Sequence, residues 1–410
     1  MARLRTLLVA GAVTALTVAV IPVPSAALAV PSQLECGDVI TTDVKLASDL
    51  TNCPNNGIVV EADDIALDLN GHTVGGDGTP FASCPDGAFC DVGIDNSAGH
   101  SGVTIKGGTV RGFDVGALAL GAGVNRIQKL TLVDNASFGV IVGNSSDTKI
   151  DHNSTHGGIS GILMFDSHDN RLEQNTVSGA HGYAIPVFGS HHNRLEQNSM
   201  DGNDHGILLD TCDDNDVKAN RVSHSGGSSI DIGHSKNNRV VANVLTDNGD
   251  GVILSEAQHN LISDNSVTGT GLFGFPDTGG FGVILDGADD NVVQRNTVTG
   301  GRGPAIFVSS LDSPDTSDRN AISANVVNSK FTDGILIDGN ATLTLLDHNT
   351  ANGNGNDGIH ANATGTTITG NTANDNHELG IEAVLGVVDG SGNKASGNGN
   401  PAQCLNVLCR

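Results

Sequence analysis

The sequence predicts an all-β solenoid, a parallel β-helix whose coils contain about 22–24 residues. An Asn recurs at this spacing, short runs of alternating aliphatic residues follow it, and aromatic residues make up only 3% of the 410-residue chain. Several globular cores would need large side chains, yet the chain has no Trp and one Tyr. Stacked coils need only a few aliphatic side chains each.

Residues 1–29 are predicted to be a secretory signal peptide. Arg3 and Arg5 precede an apolar stretch from Leu7 to Ile21, and Ala27-Leu28-Ala29 has the small-x-small pattern of a cleavage site. The alternative is an uncleaved membrane anchor, but a span needs ~20 apolar residues. We therefore expect a secreted, extracellular protein without membrane insertion after cleavage.

The seven cysteines all follow the signal peptide, and in an oxidising compartment six of them are expected to form three local disulfides. The predicted pairs are Cys36/Cys53, Cys84/Cys90 and Cys404/Cys409. Cys212 is left over and is predicted to be a buried free thiol; the alternatives are a reactive thiol and an intermolecular bridge.

The chain is divided into a cap and first strands at residues 30–66, a β-helix at 67–389 and a C-terminal cap at 390–410. About eleven to thirteen coils are expected, and residues 36–56 would cover the first coil, with room for a short helix. Caps are needed because the open ends of a solenoid would otherwise pair with other chains.

The repeat is marked by a column of ten Asn residues, each preceded three positions earlier by an aliphatic residue. The column consists of Asn153, Asn175, Asn198, Asn220, Asn243, Asn265, Asn296, Asn325, Asn349 and Asn371. Stacked Asn side chains can cap backbone groups and hydrogen-bond along the axis, and Asn tolerates a left-handed corner. We interpret the column as structural.

A second register follows most of these Asn residues by eight or nine positions, as at Gly206-Ile207 and Gly251-Val252. The apolar positions then alternate, which indicates a strand. The Asn-x-Ile-x-x-Asn repeat, together with the block Leu67–Val74, resembles secreted right-handed parallel β-helix proteins of the pectate-lyase-like superfold, with PbH1-type repeats. This resemblance implies the fold, whereas function depends on the sites that the fold carries.

The candidate catalytic residues are Asp210, Asp231 and His234, with His205 in support. Asp210 and Asp231 are expected to face outward on adjacent coils, two strand positions apart, at ~8 Å. This separation falls within the ~6.5–9.5 Å of an inverting carboxylate pair. The alternative is a hydrated acidic face, which a chain with a formal charge of −26 would have anyway.

The candidate substrate-binding residues are Phe273 and Phe275, in an insertion of about nine residues, and Lys218 and Arg239, one coil apart. Loop insertions in solenoids often lie at binding faces. Basic side chains could neutralise a uronate, as polysaccharide lyases require. For the Phe-bearing loop the alternatives are a tolerated surface insertion and an oligomer contact, and for the basic residues a solvated ladder of ion pairs.

The candidate metal ligands are His168, His191 and Asp213, which occupy one turn position in successive coils. Asp213, with Asp214 and Asp216, could instead provide oxygen ligands for Ca²⁺. No cofactor is firmly implied, and exposed turn residues are the alternative interpretation.

These features predict a protein that binds or cleaves an extracellular polysaccharide, as a lyase or a glycoside hydrolase. The alternative is a non-catalytic surface or matrix protein that acts as a rigid adhesive rod, which the scarcity of aromatic residues favours. The excess of 46 acidic over 20 basic residues argues against a nucleic-acid partner. Whether the chain is an enzyme, and its oligomeric state, are left open by the sequence.

Overall fold

The computed structural model describes residues 31–79, 90–272, 279–310 and 316–410. The predicted signal peptide, Cys84, Phe273 and Phe275 lie outside the described residues.

Secondary structure in the described residues consists of short strands and turns without a helix. The strands before the first Asn corner are β1 (Pro31–Ser32), β2 (Asp38–Ile40), β3 (Val44–Leu46), β4 (Leu50–Cys53), β5 (Ile58–Val60), β6 (Ala66–Asp68), β7 (Thr73–Gly76), β8 (Val92–Asn96), β9 (Thr104–Arg111), β10 (Val115–Leu120), β11 (Arg126–Val133) and β12 (Phe138–Gly143). The strands of the central coils are β13 (Lys149–Asp151), β14 (Ser154–His156), β15 (Ser160–Phe165), β16 (Arg171–Glu173), β17 (Thr176–Ser178), β18 (Tyr183–Phe188), β19 (Arg194–Glu196), β20 (Ser199–Asp201), β21 (His205–Asp210), β22 (Asp216–Lys218), β23 (Arg221–Ser223), β24 (Ser228–Gly233), β25 (Arg239–Val241), β26 (Val244–Thr246), β27 (Asp250–Ser255), β28 (Leu261–Ser263) and β29 (Ser266–Thr268). The remaining strands are β30 (Val283–Asp286), β31 (Val292–Gln294), β32 (Thr297–Gly301), β33 (Ile306–Ser309), β34 (Ala321–Ser323), β35 (Val326–Ser329), β36 (Ile335–Ile337), β37 (Leu345–Asp347), β38 (Thr350–Ala351), β39 (Ile359–Ala361), β40 (Thr367–Thr369), β41 (Thr372–Asn374), β42 (Ile381–Ala383), β43 (Val388–Asp389), β44 (Lys394–Ser396) and β45 (Cys404–Leu405).

These strands form a parallel β-helix, which confirms the predicted fold class. Sixteen strands, from β2 to β45, stack in what we call the front sheet, and 29 strands form the back sheet, in which most coils contribute two short strands. Successive coils therefore pair in parallel register, and aliphatic side chains from both sheets fill one continuous core.

The sixteen front strands correspond to about fifteen turns, so the expected eleven to thirteen coils were too few. The early coils were missed because an apolar residue or glycine replaces Asn at the corner: Leu130 pairs with Gly108 and donates its N–H to Asn153 Oδ1 at 3.0 Å. The short helix expected in residues 36–56 is also absent, since this segment forms the strands β2 to β4.

The Asn column forms a hydrogen-bonded ladder, as the repeat predicts. Asn198 Oδ1 accepts from the N–H and Nδ2 of Asn175, each at 3.0 Å, while Asn198 Nδ2 donates to Leu172 O and to Asn220 Oδ1. The left-handed backbone expected at the Asn itself lies one residue earlier, as at Gln197 with φ 56°. The Asn side chain can therefore turn inward while its neighbour makes the corner.

Two further Asn ladders were not predicted. One contains Asn170, Asn193, Asn215, Asn238, Asn260, Asn291 and Asn320, and the other contains Asn354, Asn376 and Asn398. The first could have been recognised, because its members precede those of the predicted column by five residues.

A small residue near the start of each front strand sets the direction of the side chains around it. A Cβ on Gly206 would collide with Ser229 O and lie 2.9 Å from Val222 Cγ1 in the core. Ile207 is also buried in the core. The two consecutive inward positions leave His205 and Leu208 on the outer face.

Two of the predicted disulfides are confirmed, Cys36–Cys53 and Cys404–Cys409, and Cys212 is a buried free thiol as expected. Disulfides persist in oxidising compartments, which indicates an extracellular or periplasmic protein. Among the residues that the structure describes, no helix has the length and hydropathy needed to cross a bilayer.

Candidate functional site

A group of polar side chains lies on the outer face of the front sheet, in the middle of the solenoid. Tyr183, His205, Ser228 and Asp250 occupy one register position in four successive coils, and Asp231 projects from the same face three residues after Ser228. We call these five residues the Tyr–His–Asp cluster. It forms there because each of the first four residues begins a front strand and is followed directly by a small residue.

Hydrogen bonds centre the cluster on Asp231. Its Oδ2 accepts from the Tyr183 hydroxyl at 2.5 Å and from the Ser228 hydroxyl at 2.6 Å. The His205 ring stacks on Tyr183 with ring centroids 4.5 Å apart, and its Nδ1 lies 3.1 Å from Ser228 Oγ. Asp231 Oδ1 is buried and has no hydrogen-bond partner within the described part of the chain.

The environment favours protonated groups. Burial raises the pKa of Asp231, although the hydrogen bonds from Ser228 and Tyr183 oppose this shift. Burial also raises the pKa of Asp250. The hydrogen bond that the Phe281 N–H donates to Asp250 Oδ1 at 2.8 Å opposes this shift. Burial and the adjacent Asp231 raise the pKa of Tyr183, so the phenol stays protonated.

A second, more exposed set of charges adjoins the cluster. In the parallel register, Leu208 pairs with Asp231, and Asp210 pairs with Gly233. Asp210 therefore lies on the neighbouring strand, two positions along from Asp231, as predicted. His234 places Nδ1 2.9 Å from Asp210 Oδ1 and Nε2 3.3 Å from Glu256 Oε2. The Asp210 hydrogen bond raises the pKa of His234.

The four predicted catalytic residues thus lie together on one face. Asp231 is more buried than an outward orientation alone predicts, because Tyr183 reaches across one coil to bond it. The sequence reasoning missed Tyr183, Ser228, Asp250 and Glu256. The first three could have been found from their position immediately before the small residue of each front strand.

The predicted substrate-binding cations lie elsewhere. Lys218 and Arg239 belong to β22 and β25 of the back sheet, and Arg239 lines an open groove of about 500 Å³ there. The exposed Arg239 side chain places Nε 3.8 Å from Asp216 Oδ1, which is a buried oxygen. The two residues are not brought to the Tyr–His–Asp cluster.

The predicted metal ligands His168, His191 and Asp213 do stack at one turn, as the repeat implies. His191 Nδ1 accepts the Asp213 N–H at 3.1 Å, and Asp213 Oδ1 accepts the Lys236 N–H at 2.9 Å. His168 Nδ1 pairs with Asp169 Oδ2 at 3.0 Å. Metal or Ca²⁺ binding at this turn stays a prediction.

A second polar cluster, which the sequence reasoning did not assemble, lies on the outer face of the front sheet near its C-terminal end. It contains Asp333, Asp357, His360 and Glu382, and we call it the distal cluster. Burial raises the pKa of Asp357 to about 7, and the Glu382 carboxyl adds to the shift. The sequence feature that could have identified this cluster is again a polar residue directly before a glycine, as at Asp333 and Asp357.

Two family models match parts of the chain. The family described as periplasmic copper-binding protein (NosD) matches residues 85–248, and the one described as right handed beta helix region matches residues 206–373. Among curated protein sequences no match is found.

Solved structures agree with the fold. The A-module of mannuronan C-5 epimerase AlgE6 from Azotobacter vinelandii is 15% identical, with 87% of this chain and 91% of that chain covered and a TM-score of 0.53. The A-module of AlgE4 from the same organism is 13% identical, with 76% and 91% covered and a TM-score of 0.51. At these identities the similarity identifies the chain as a right-handed parallel β-helix protein.

Proposed function

We propose that the chain is a secreted, polysaccharide-acting enzyme that cleaves glycosidic bonds at the Tyr–His–Asp cluster. The observation that supports this most is Asp231, a carboxyl with a raised pKa, placed across from the exposed carboxylate of Asp210 on a long open face. Asp231 would act as general acid and Asp210 as general base. Solved structures with a similar fold include two mannuronan C-5 epimerase modules, which agrees with a polymeric sugar as substrate.

The proposed reaction is an inverting hydrolysis. Asp231 donates its proton to the glycosidic oxygen as the bond to the anomeric carbon breaks, while Asp210 removes a proton from the attacking water. The register predicts a separation of ~8 Å, which leaves room for that water. Because Oδ1 of Asp231 is covered in the free protein, substrate binding has to displace the side chains above it.

Aromatic and apolar side chains on the same face provide contacts for sugar rings. Phe188 is 39% exposed and pairs in register with Asp210, one coil before it. On the other side of the cluster, the half-buried Phe281 stacks on the buried Phe307 with ring centroids 5.3 Å apart. A polymer lying along the solenoid axis would therefore meet one phenyl ring, Phe188 or Phe281, on either side of the acid–base pair.

The charges favour hydrolysis of an uncharged polysaccharide over lyase chemistry. The carboxylates beside the proposed acid are those of Asp210 and Glu256, which are 37% and 40% exposed. These two carboxylates would repel a uronate carboxylate, whereas a neutral sugar carries no charge to be repelled. The predicted cations for a uronate, Lys218 and Arg239, lie on the back sheet.

The test is incubation of the purified chain with a panel of neutral and acidic polysaccharides, following reducing ends and the ultraviolet absorbance of unsaturated products. We expect reducing ends from a neutral polymer without unsaturated products. Asp231→Asn and Asp210→Asn should each lower the rate by about 10²–10⁴-fold. Asp286→Asn is the matched control, because Asp286 lies in the register column of Asp210, three coils away.

The pH profile tests the role of Asp231 itself. The acid form is required, so the rate should fall as the pH rises through the raised pKa of Asp231. Tyr183 lowers that pKa through its hydrogen bond, so Tyr183→Phe should move the alkaline limb to higher pH. Absence of product from every polymer would contradict the enzyme and favour the adhesive rod; product with an unchanged rate in both Asp variants would contradict this site.

A further inference from the structure

In the distal cluster, the carboxylates of Asp333 and Asp357 are each held by one oxygen. Asp333 Oδ1 accepts from Asn356 Nδ2 at 2.7 Å and from the Asp357 N–H at 2.9 Å. Asp357 Oδ1 accepts from the Leu379 N–H at 2.6 Å. Because these hydrogen bonds fix Oδ1 of each carboxylate, they also fix the direction in which the second oxygen, Oδ2, points.

The imidazole of His360 is oriented in the same way. Its Nε2 lies 3.1 Å from Asn362 Oδ1, an acceptor, so in the neutral ring we assign the proton to Nε2 and the lone pair to Nδ1. Metal-binding histidines are commonly fixed by such a hydrogen bond from the ring nitrogen opposite the metal.

The three remaining atoms converge on one small space. His360 Nδ1 is 3.8 Å from Asp333 Oδ2 and 3.6 Å from Asp357 Oδ2, and the ligand atoms of the three residues lie within 4.8 Å of one another. These distances exceed those of a hydrogen bond. The Asp357 side chain is only 2% exposed, and the Glu382 carboxyl lies beside it, so Asp357 Oδ2 is a buried oxygen 3.6 Å from His360 Nδ1.

We propose that Asp333, Asp357 and His360 form a binding site for a divalent transition-metal ion, with Zn²⁺ as the best-matched ion. Zn²⁺ binds imidazole nitrogen and carboxylate oxygen at about 2.0–2.2 Å, which places ligand atoms about 3.4 Å apart in a tetrahedron. Three protein ligands leave a fourth position for water. Ca²⁺ requires six to eight oxygen ligands, which is more than this cluster offers.

The site is separate from the Tyr–His–Asp cluster and does not depend on the proposed hydrolase. It lies five coils beyond β24 in the front sheet, about 24 Å along the axis. It also lies beyond residues 85–248, the segment that matches the copper-binding family.

Titration of the chelator-treated full chain with Zn²⁺ by calorimetry, and with Co²⁺ by visible absorption, tests the proposal. We expect one tight Zn²⁺ per chain and a Co²⁺ spectrum with a nitrogen ligand. His360→Gln should weaken binding at least about 100-fold, and Asn362→Ala, which removes only the orienting acceptor, about 10–100-fold. Thermal melting should show stabilisation by Zn²⁺ in the wild type but not in His360→Gln.

His234→Gln is the matched control, since His234 also lies between two carboxylates on the same face. Its variant should bind Zn²⁺ as the wild type does. Asp357→Asn is a second ligand variant, and circular dichroism checks that each variant is folded. Unchanged affinity in His360→Gln, substoichiometric Zn²⁺, or binding of Ca²⁺ in preference to Zn²⁺ would each overturn the proposal.

Discussion

At the scale of single residues, the Asn ladders show how one side chain satisfies several backbone groups at a corner. Asn198 is 1% exposed and takes part in hydrogen bonds to both neighbouring coils. Since the coil backbone turns sharply there, its N–H and C=O groups cannot all pair within a sheet. The amide side chain replaces those missing partners.

Asn198→Ala should therefore be strongly destabilising. The change leaves the Asn175 N–H and Leu172 O without partners inside the solenoid, at a cost of about 1–3 kcal/mol for each buried group. The measurement is the urea midpoint of unfolding. Asn340→Ala, at an exposed turn, is the control and should change the free energy of unfolding by less than about 0.5 kcal/mol. Equal midpoints for the two variants would contradict a structural ladder.

Cys212 occupies a position that neighbouring coils fill with serine. Ser190 donates its N–H to Cys212 Sγ at 3.4 Å, and the Cys212 N–H donates to Ser235 Oγ at 2.8 Å. Burial raises the pKa of this thiol to about 11, so the nucleophilic thiolate is rare near neutral pH. The alternatives of a reactive thiol and an intermolecular bridge therefore lose support.

We expect the free energy of unfolding of Cys212→Ser to lie within about 1 kcal/mol of the wild-type value, because serine keeps both hydrogen bonds. A thiol-specific reagent should label Cys212 in urea but not in the native protein. Stoichiometric labelling of the native chain would show that the thiol is accessible. Cys212→Val is the contrasting variant, because it leaves the Ser190 N–H unpaired and should be clearly less stable.

At the scale of single elements, the small residue near the start of each front strand links folding to the candidate site. Gly206 packs so close to the next coil that a Cβ cannot fit without displacing backbone. The bend that this contact permits directs His205 outward to stack on Tyr183. The same residue thus closes the coil and orients the cluster.

Gly206→Ala should destabilise the chain by about 2 kcal/mol or more and also displace His205. Gly339→Ala is the control, because its Cβ would lie 3.6 Å from the nearest atom, Asn362 O. That variant should unfold like the wild type. Thermal melting of the two variants measures the difference, and a Gly206→Ala protein as stable as Gly339→Ala would show that the coil can relax.

These elements also show what the sequence could and could not predict. The strand alternation at Ile207–Asp210 and the spacing of the Asn residues were sufficient for the fold, because a 22-residue period leaves few architectures. The relative position of Asp210 and Asp231 followed from the same register. The bond from Tyr183 to Asp231 could not be predicted, because it joins residues 48 apart through a side chain that crosses an intervening coil.

At the scale of the whole molecule, the solenoid gathers charge along its outer faces, with 46 acidic and 20 basic residues over the full sequence. Many carboxylates are partnered by residues one coil away, such as Asp201 with His224 at 2.7 Å and Asp264 with Arg295 at 2.8 Å. A change of pH therefore acts on contacts between coils along the length of the rod.

Stability should be greatest at mildly acidic pH. The carboxylate hydrogen bonds raise the pKa of His224 and His234 in the folded chain above the ~6.5 of an unfolded histidine. Their stabilisation is therefore complete below that value and is lost as the pH rises through the folded pKa. The raised pKa values of Asp231 and Asp250 act in the same direction. Above the unfolded carboxyl pKa of ~4 the folded chain still holds these protons while the unfolded chain has lost them, so stability falls as the pH rises.

At lower pH the dependence of stability on pH reverses. Hydrogen bonds lower the pKa of Asp201 and Asp264 in the folded chain. The stabilisation that these carboxylates provide is therefore lost as the pH falls through the lowered values. The melting temperature should thus decline from about pH 5.5 to about pH 8 and again under strongly acidic conditions. The double variant His224→Gln/His234→Gln should flatten the decline above pH 6.5. His377→Gln, at an exposed histidine 3.5 Å from Glu378, should keep the wild-type profile. A melting temperature that rises toward pH 8 would show that these inter-coil histidine pairs do not govern the stability of the rod.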